Sequence, residues 1–281
     1  AVALSFYRSV LDAETITMAS TDEAEFVKLI ETTYRDVNIA LANEFARFAD
    51  TRGLDVTTAI AAANTQPYSH IHAPGVGVGG HCIPVYPYFL LAGCTDQHLD
   101  SRQSMLSIPR YARRINDSMA EYAVERLRDA IGSLEGQSVL MLGIAYRGDV
   151  RETAFTSAKL LQEALLAAGA SVYVDDPLYN ADELRALGYT PLTLEVENNI
   201  RAILLQAGHK TYQSFDFSRF EHCRVVLDGR RALRREQVEA AGIEYITIGD
   251  GKYRKKQGGT VQNGRDELQA STSALLGRGQ E

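Results

Sequence analysis

No run of about 18 apolar residues occurs in the 281-residue chain, and its first residues, AVALSFYRSV, lack the layout of an export signal. A membrane partner is therefore not expected, and the expected location is cytoplasmic. Cysteine is scarce. Cys82, Cys94 and Cys223 do not form a disulfide framework and fit a reducing compartment. Positive charge is not in excess either: 29 Lys and Arg against 36 Asp and Glu give a net charge of −7. That balance sets aside non-specific nucleic-acid binding while leaving room for a local basic pocket. A dinucleotide fingerprint is also missing where it would count. The turn LGIAYRGDV at 142–150, after an apolar strand run, lacks its closely spaced glycines.

What is present suits a globular protein of two domains, with 45% hydrophobic and 23% charged residues. One stretch stands apart, PGVGVGGHCIPVYPYFL at 74–90, with four glycines and three prolines around Cys82. Dense glycines let backbone approach a ligand closely, and prolines stiffen the loop. Such a loop suits a nucleophile mount; the same residues suit a connector whose cysteine fills core space, and both stay open on composition. His70, His72, His81 and Cys82 offer ligands of the kind zinc takes. Adjacent His81 and Cys82 chelate one ion awkwardly and no fourth ligand is evident, so no metal is expected. A cysteine hydrolase pairing Cys82 with a nearby histidine is a further reading, without an identifiable third residue.

Residues 1–20 read as a short helix and a strand at 15–18. Thr21 and Asp22, with Glu25 as a capping-box partner, predict the start of a helix running to about residue 51. Phe26, Ile30, Tyr34, Val37, Leu41, Phe45 and Phe48 form one apolar stripe on it, and Lys28, Thr32 and Arg35 a polar row on the opposite side. That row faces either a ligand or solvent. An alanine-rich helix follows at 56–63. A second long helix is predicted at 104–131, its stripe made by Ile108, Tyr111, Ile115, Met119, Tyr122, Leu127 and Ala130. Two striped helices predict a helical layer and a dimer interface. From residue 135 the rhythm changes: strands at 138–145, 171–177, 202–205, 224–228 and 245–248 alternate with helices at 153–168, 181–187, 212–220 and 234–241. The fold class is thus α/β, a helical domain followed by a doubly wound parallel sheet. The tail from 251 to 281 is expected to be disordered. Ligands of such sheets bind at the carboxyl ends of the strands, where Tyr146, Arg147, Asp175, Asp176, His209, Lys210 and 228–231 fall. The basic members of that set suit a phosphate or diphosphate.

GVGGHCIPV with PYFL, KLIETTYRDVNIALANEF, ARRIND, LGIAYRGD, and VVLDGRRAL with YITIG follow in an order that resembles the UDP-glucose/GDP-mannose dehydrogenase family, from about residue 15 to 249. The HCIP form is similar to the branch acting on UDP-N-acetylhexosamines. The resemblance implies an NAD-dependent nucleotide-sugar 6-dehydrogenase of three domains. This chain would hold the helical dimerisation domain (21–134) and the Rossmann-like UDP-sugar-binding domain (135–250). Residues 1–20 would be a remnant of the NAD-binding domain, and the chain alone is expected to be inactive. The implied reaction takes the sugar C6 alcohol to a carboxylate with two NAD, through an aldehyde that Cys82 attacks and a thioester that water hydrolyses. By the same resemblance, Lys28 stabilises the oxyanion, Thr32 and Tyr86 hold catalytic positions, and Gly79, Gly80, His81, Tyr146, Arg147 and Arg230 bind the UDP-sugar. Thr32 stands where the family commonly has asparagine, and Tyr86 where it has aspartate; a phenol does not replace a carboxylate as a base near neutral pH. Arg151, in RETA, is a shifted counterpart of a family arginine. The resemblance further implies a homodimer through the central helices. The competing implication is a non-catalytic nucleotide-sugar-binding and dimerisation module.

Overall fold

The computed structural model describes residues 2–93 and 105–252. Cys94, the polar stretch after it, and all but the first two residues of the predicted tail lie outside the described residues. Helix α1 (Val2–Val10) opens the chain. The strand predicted at 15–18 does not form, because an extended segment needs a ladder partner and the described sheet offers none there. Helix α2 (Thr21–Arg52) is capped earlier than its spacing predicted. The Ser20 hydroxyl accepts from the Glu23 N–H at 3.1 Å, and the Glu23 carboxylate accepts from the Ala19 N–H at 2.9 Å. Gly53, at φ 71°, ends the helix.

The apolar stripe of α2 lies on the outside of the chain, and of its polar row Lys28 and Arg35 are exposed while Thr32 is buried. Thr32, Thr33, Asp36, Ala40, Asn43, Ala46 and Ala49 are buried, whereas Phe26, Ile30, Tyr34, Leu41, Phe45 and Phe48 are 42% to 58% exposed. Small and polar side chains let α5 (Ser107–Asp117) lie close along the buried face. The predicted second long helix is two helices. α5 and α6 (Met119–Ile131) part at Ser118, whose hydroxyl donates to the Ile115 carbonyl at 2.8 Å and accepts from Arg47 at 2.7 Å. Ile108 and Tyr111 on α5 stay exposed, while Met119, Tyr122 and Leu127 on α6 enter the core. Helix α3 (Val56–Ala63) forms as expected, and α4 (Tyr86–Ala92) occupies the second half of the glycine-proline stretch, with Pro87 in its first turn where a missing N–H is harmless.

Strands β1 (Ser138–Leu142), β2 (Ser171–Asp175), β3 (Ile200–Leu205), β4 (Val225–Asp228) and β5 (Glu244–Thr247) form one parallel sheet in the order β2-β1-β3-β4-β5. Between them lie α7 (Ser157–Ala167), α8 (Ala181–Ala186), α9 (Leu194–Glu197) and α10 (Arg235–Ala240). The helix predicted at 212–220 is instead two short 3₁₀ turns, Lys210–Ser214 and Phe217–Arg219. Alternate strand residues face opposite sides: Val139 and Met141 join Leu127, Leu161 and Leu165, while Leu140 and Leu142 join Tyr212, Phe220 and Val238. Both faces are covered, as a parallel sheet requires. The α2 end is clasped to the sheet end. Asp50, fully buried, accepts from the Tyr122 hydroxyl at 2.6 Å and from the Gly249 and Gly251 N–H groups at 3.0 Å each. No described helix is long and apolar enough to cross a membrane.

Candidate active site at the sheet switch point

In this strand order the connections leave β1 and β3 in opposite directions, which opens a crevice at their carboxyl ends. The glycine loop at 75–80 lies across it. A Cβ on Gly79 would fall 2.9 Å from both the Phe155 carbonyl oxygen and Tyr146 Cβ, and one on Gly77 2.7 Å from Ser157 Cβ. The Gly80 N–H donates to the Ala154 carbonyl at 3.0 Å. These positions are glycine because the loop is pressed against the turn after β1, and a side chain would push the two apart.

Arg230 ties the loop to the sheet. Asp228, at the end of β4, accepts from the Arg230 N–H at 3.0 Å, the Leu233 N–H at 2.8 Å and the Tyr245 hydroxyl at 2.9 Å, which shapes the turn that carries the arginine. The guanidinium donates to the carbonyls of Gln206 at 2.7 Å and Gly77 at 3.0 Å, and to the Ser157 hydroxyl at 3.3 Å. Burial lowers its pKa to about 10, with Asp228 opposing, so it stays charged at neutral pH. Arg147 extends past the Tyr146 ring, 5.9 Å from its centroid, into solvent. His209, Asp176 and Asp175 do not reach the cavity. The His209 Nδ1 accepts from the Asp149 N–H at 2.9 Å, which leaves Nε2 to donate to Asp176 at 3.3 Å.

The helical layer supplies the opposite wall. Lys28 Nζ donates to Glu31 at 3.0 Å, and Arg35 stands 3.9 Å from the same carboxylate. The Glu31 hydrogen bond raises the Lys28 pKa; partial desolvation opposes it, and the fields of Glu31, Cys82 and Tyr86 add to it. Thr32 belongs to the wall's interior. It is fully buried, and its hydroxyl donates to the carbonyls of Lys28 at 2.7 Å and Leu29 at 3.3 Å. Behind it runs a buried chain of polar groups. Arg113 donates to Asp36, Asn116 donates to Asp36 at 2.8 Å, Asn43 donates to Asn116 at 2.9 Å, and Asn43 accepts from the Gly75 N–H at 2.9 Å. Each amide's orientation is set by the one before it, so an ion pair inside the helical layer fixes where the glycine loop begins.

Between the walls is a cavity of about 480 Å³, lined by Lys28, Glu31, Arg35, the glycine loop, His81, Cys82, Tyr146, Arg147 and Arg230 among others. Of the sequence-predicted residues, Cys82, Lys28, Gly79, Gly80, His81, Tyr146, Arg147 and Arg230 converge there, whereas Thr32 and Tyr86 do not line it. Cys82 is half-buried, and its carbonyl accepts from the Tyr86 N–H at 2.9 Å. Tyr86 stands at the first position of α4, its ring stacked on Phe89. His81 reaches across to Glu152 at 3.4 Å; a backbone hydrogen bond from Ala154, then His81, lowers that carboxylate's pKa. Arg151 sits elsewhere, over the Tyr179 ring and paired with Glu183. Among the described residues no cluster of three or more His, Cys, Asp or Glu side chains could hold a metal. Glu31 and the Asp36–Asn43 chain are absent from the sequence expectation. Glu31, three residues after Lys28, was legible as a same-face neighbour; the buried chain carries no local signal.

The profile of the central domain of the UDP-glucose/GDP-mannose dehydrogenase family matches residues 22–118, and that of the family's UDP binding domain matches residues 140–235. The UDP-N-acetyl-D-mannosamine dehydrogenase of Methanocaldococcus jannaschii is 35% identical over 82% of this chain and 52% of its own length. The solved UDP-D-ManNAc dehydrogenase of Pyrococcus horikoshii superposes with a TM-score of 0.74 at 31% identity, over 89% of this chain and 57% of that one. The NDP-N-acetyl-D-galactosaminuronic acid dehydrogenase of Methanosarcina mazei gives 0.74 at 30% identity, over 89% and 56%. The chain thus spans about half the length of the curated relatives it matches. Two profiles in family order, on the two walls of one cavity, have one explanation: the chain belongs to the UDP-glucose/GDP-mannose dehydrogenase family.

Proposed function

We propose that this chain carries the substrate-binding and covalent-catalysis half of a nucleotide-sugar 6-dehydrogenase acting on a UDP-N-acetylhexosamine. The observation that supports it is the meeting of Cys82 and Lys28, from the helical layer, with Arg147 and Arg230, from the sheet, in one cavity. Arginine forks suit a diphosphate, and a sugar held by its diphosphate on the sheet side would extend toward the thiol. The names of the relatives favour an N-acetylhexosamine. In this reading Gly79, Gly80, His81 and Tyr146 shape the floor under the sugar nucleotide. The Cys82 sulfur bonds to a C6 aldehyde, and the Lys28 ammonium balances the charge that gathers on its oxygen. Thr32 and Tyr86 act from behind, one holding the α2 wall and the other closing the turn below Cys82.

Oxidation at C6 calls for a nicotinamide, and these residues do not fit one. The turn after β1 has no closely spaced glycines, and its crevice is filled by the glycine loop and Arg230. NAD is, on this reading, held outside this chain, and the chain alone forms no NADH from UDP-sugars. The exposed apolar stripe of α2 is proposed as the homodimer contact, in a cytoplasmic enzyme. Calorimetric titration with UDP, UDP-glucose, UDP-GlcNAc and UDP-ManNAc tests the assignment. Binding of UDP is expected, tighter for the acetamido sugars, and Arg230→Lys should weaken it about tenfold, one multidentate contact's worth. If none of the four binds, the assignment fails.

A further inference from the structure

The cavity gathers four cationic side chains, Lys28, Arg35, Arg147 and Arg230, and among its described lining residues a single carboxylate, Glu31. The other acids nearby are committed. Glu152 pairs with His81 and accepts from the Ala154 N–H at 2.9 Å. Asp36 is sealed behind the wall with Arg113 and Asn116. Asp176 accepts from the Ile144 and Leu178 N–H groups, and Asp228 from those of Arg230 and Leu233. Tyr86, four residues after Cys82, offers a phenol outside the lining. Glu31 differs from all of these. Its side chain is 49% exposed, and it pairs with the two cations of its own helix, Lys28 at 3.0 Å and Arg35 at 3.9 Å. Glu31, Lys28 and Cys82 line the same cavity, so carboxylate, cation and thiol share one site.

We propose that Glu31 is the general base that resolves an acyl group carried on Cys82, and so is a catalytic residue of this site. The inference rests on the nucleophile reading of Cys82. In the step, Glu31 takes a proton from water as the water oxygen bonds to the thioester carbon, and the carbonyl electron pair moves onto oxygen beside Lys28. Collapse of that adduct breaks the C–S bond, and the pair leaves on sulfur, which recovers the proton from Glu31. Thioester and water become thiol and carboxylic acid, with no change of oxidation state and no nicotinamide involved.

Because the step needs no cofactor, this chain can be tested as it stands with p-nitrophenyl acetate, which acylates thiolates. The wild-type chain should release a burst of about one equivalent of nitrophenolate and then turn over slowly, with Cys82→Ser lacking the burst. Glu31→Gln should keep the burst, lose on the order of 100-fold in the slow phase, and accumulate acetyl-enzyme by mass spectrometry. Its slow phase should also become first order in hydroxide, whereas the wild-type rate levels off once the carboxylate is ionised; Glu31→Asp should restore part of the rate. A slow phase unchanged in Glu31→Gln, with the burst intact, overturns the base and leaves Cys82 as nucleophile. A wild-type chain with no burst removes both.

Discussion

The two long faces of α2 contrast sharply. One presents Phe26, Ile30, Tyr34, Leu41, Phe45 and Phe48 to the outside; the other buries Thr32, Asp36, Asn43 and Asp50 among alanines. On hydrophobicity alone the assignment would be opposite, since burying large apolar side chains is the main driving force and burying polar ones is costly. The buried face is tolerable because nearly every polar group on it has a partner, and because those partners lead to the glycine loop and to the Gly249 turn. The exposed face is a large apolar patch of the kind that marks an interaction surface. One face therefore builds the site within the chain, and the other carries the chain's apolar stripe outward.

The comparison can be broken most forcefully on the buried side. Arg113 and Asp36 have side chains 4% and 0% exposed. Removing one member strands the other, so Arg113→Ala should destabilise the chain by about 3–5 kcal/mol in urea unfolding. A loss under about 1 kcal/mol, the median of a surface ion pair, would mean that this face is wet in solution. The exposed side should behave in the opposite way. Leu41→Glu with Phe45→Glu should leave monomer stability within about 1 kcal/mol, since surface changes stay near ±0.5 kcal/mol each. The same pair should convert a dimer to a monomer in sedimentation equilibrium. Wild-type chain that already sediments as a monomer would remove the dimer contact and leave the stripe unexplained.

This contrast also marks how far the sequence was legible. The β/α alternation was read to within a few residues, because a two-residue strand period and capped helices are local signals. The cysteine loop was visible in its glycines, whose close contacts with Tyr146, Phe155 and Ser157 account for their number. The stripe on α2 was legible from its period, although periodicity finds an apolar face without saying which molecule covers it. Thr32 was assigned to the Lys28 row by spacing; its hydroxyl turns back to the helix carbonyls, a choice made by packing against α5. The break at Ser118 and the 3₁₀ turns at 210–219 were invisible for the same reason. Tertiary contacts, with Arg47 for one and Asp175 through Tyr212 for the other, decide them.

The smallest expected effect concerns charge on the buried face. Burial raises the Asp36 pKa above 3.8, although Arg113 and Asn116 pull it down, and its Oδ2 has no hydrogen-bond partner among the described residues. Burial likewise opposes the charge of Arg113, but there Asp36 and Asp117 outweigh it and its pKa is raised. The pair therefore favours the cation more than the anion, and the Asp36 oxygen left without a hydrogen-bond partner among the described residues lets burial raise its pKa. A carboxyl whose folded pKa is raised binds its proton more tightly in the native state. Its contribution to stability therefore grows as pH falls through the raised value and is complete below 3.8. Asp176 runs the other way. Burial works against it, but His209 and the Ile144 and Leu178 N–H groups lower its pKa below 3.8, so its contribution is present above that value and lost as pH falls through the folded one. Urea unfolding as a function of pH separates the two. Relative to wild type, Asp36→Asn should lose a rise in stability on acidification above pH 3.8, and Asp176→Asn should lose a fall below it. If Asp36→Asn instead removes a fall on acidification, Arg113 dominates the buried face, and α2 holds an ordinary ion pair where the orphaned oxygen indicates a frustrated one.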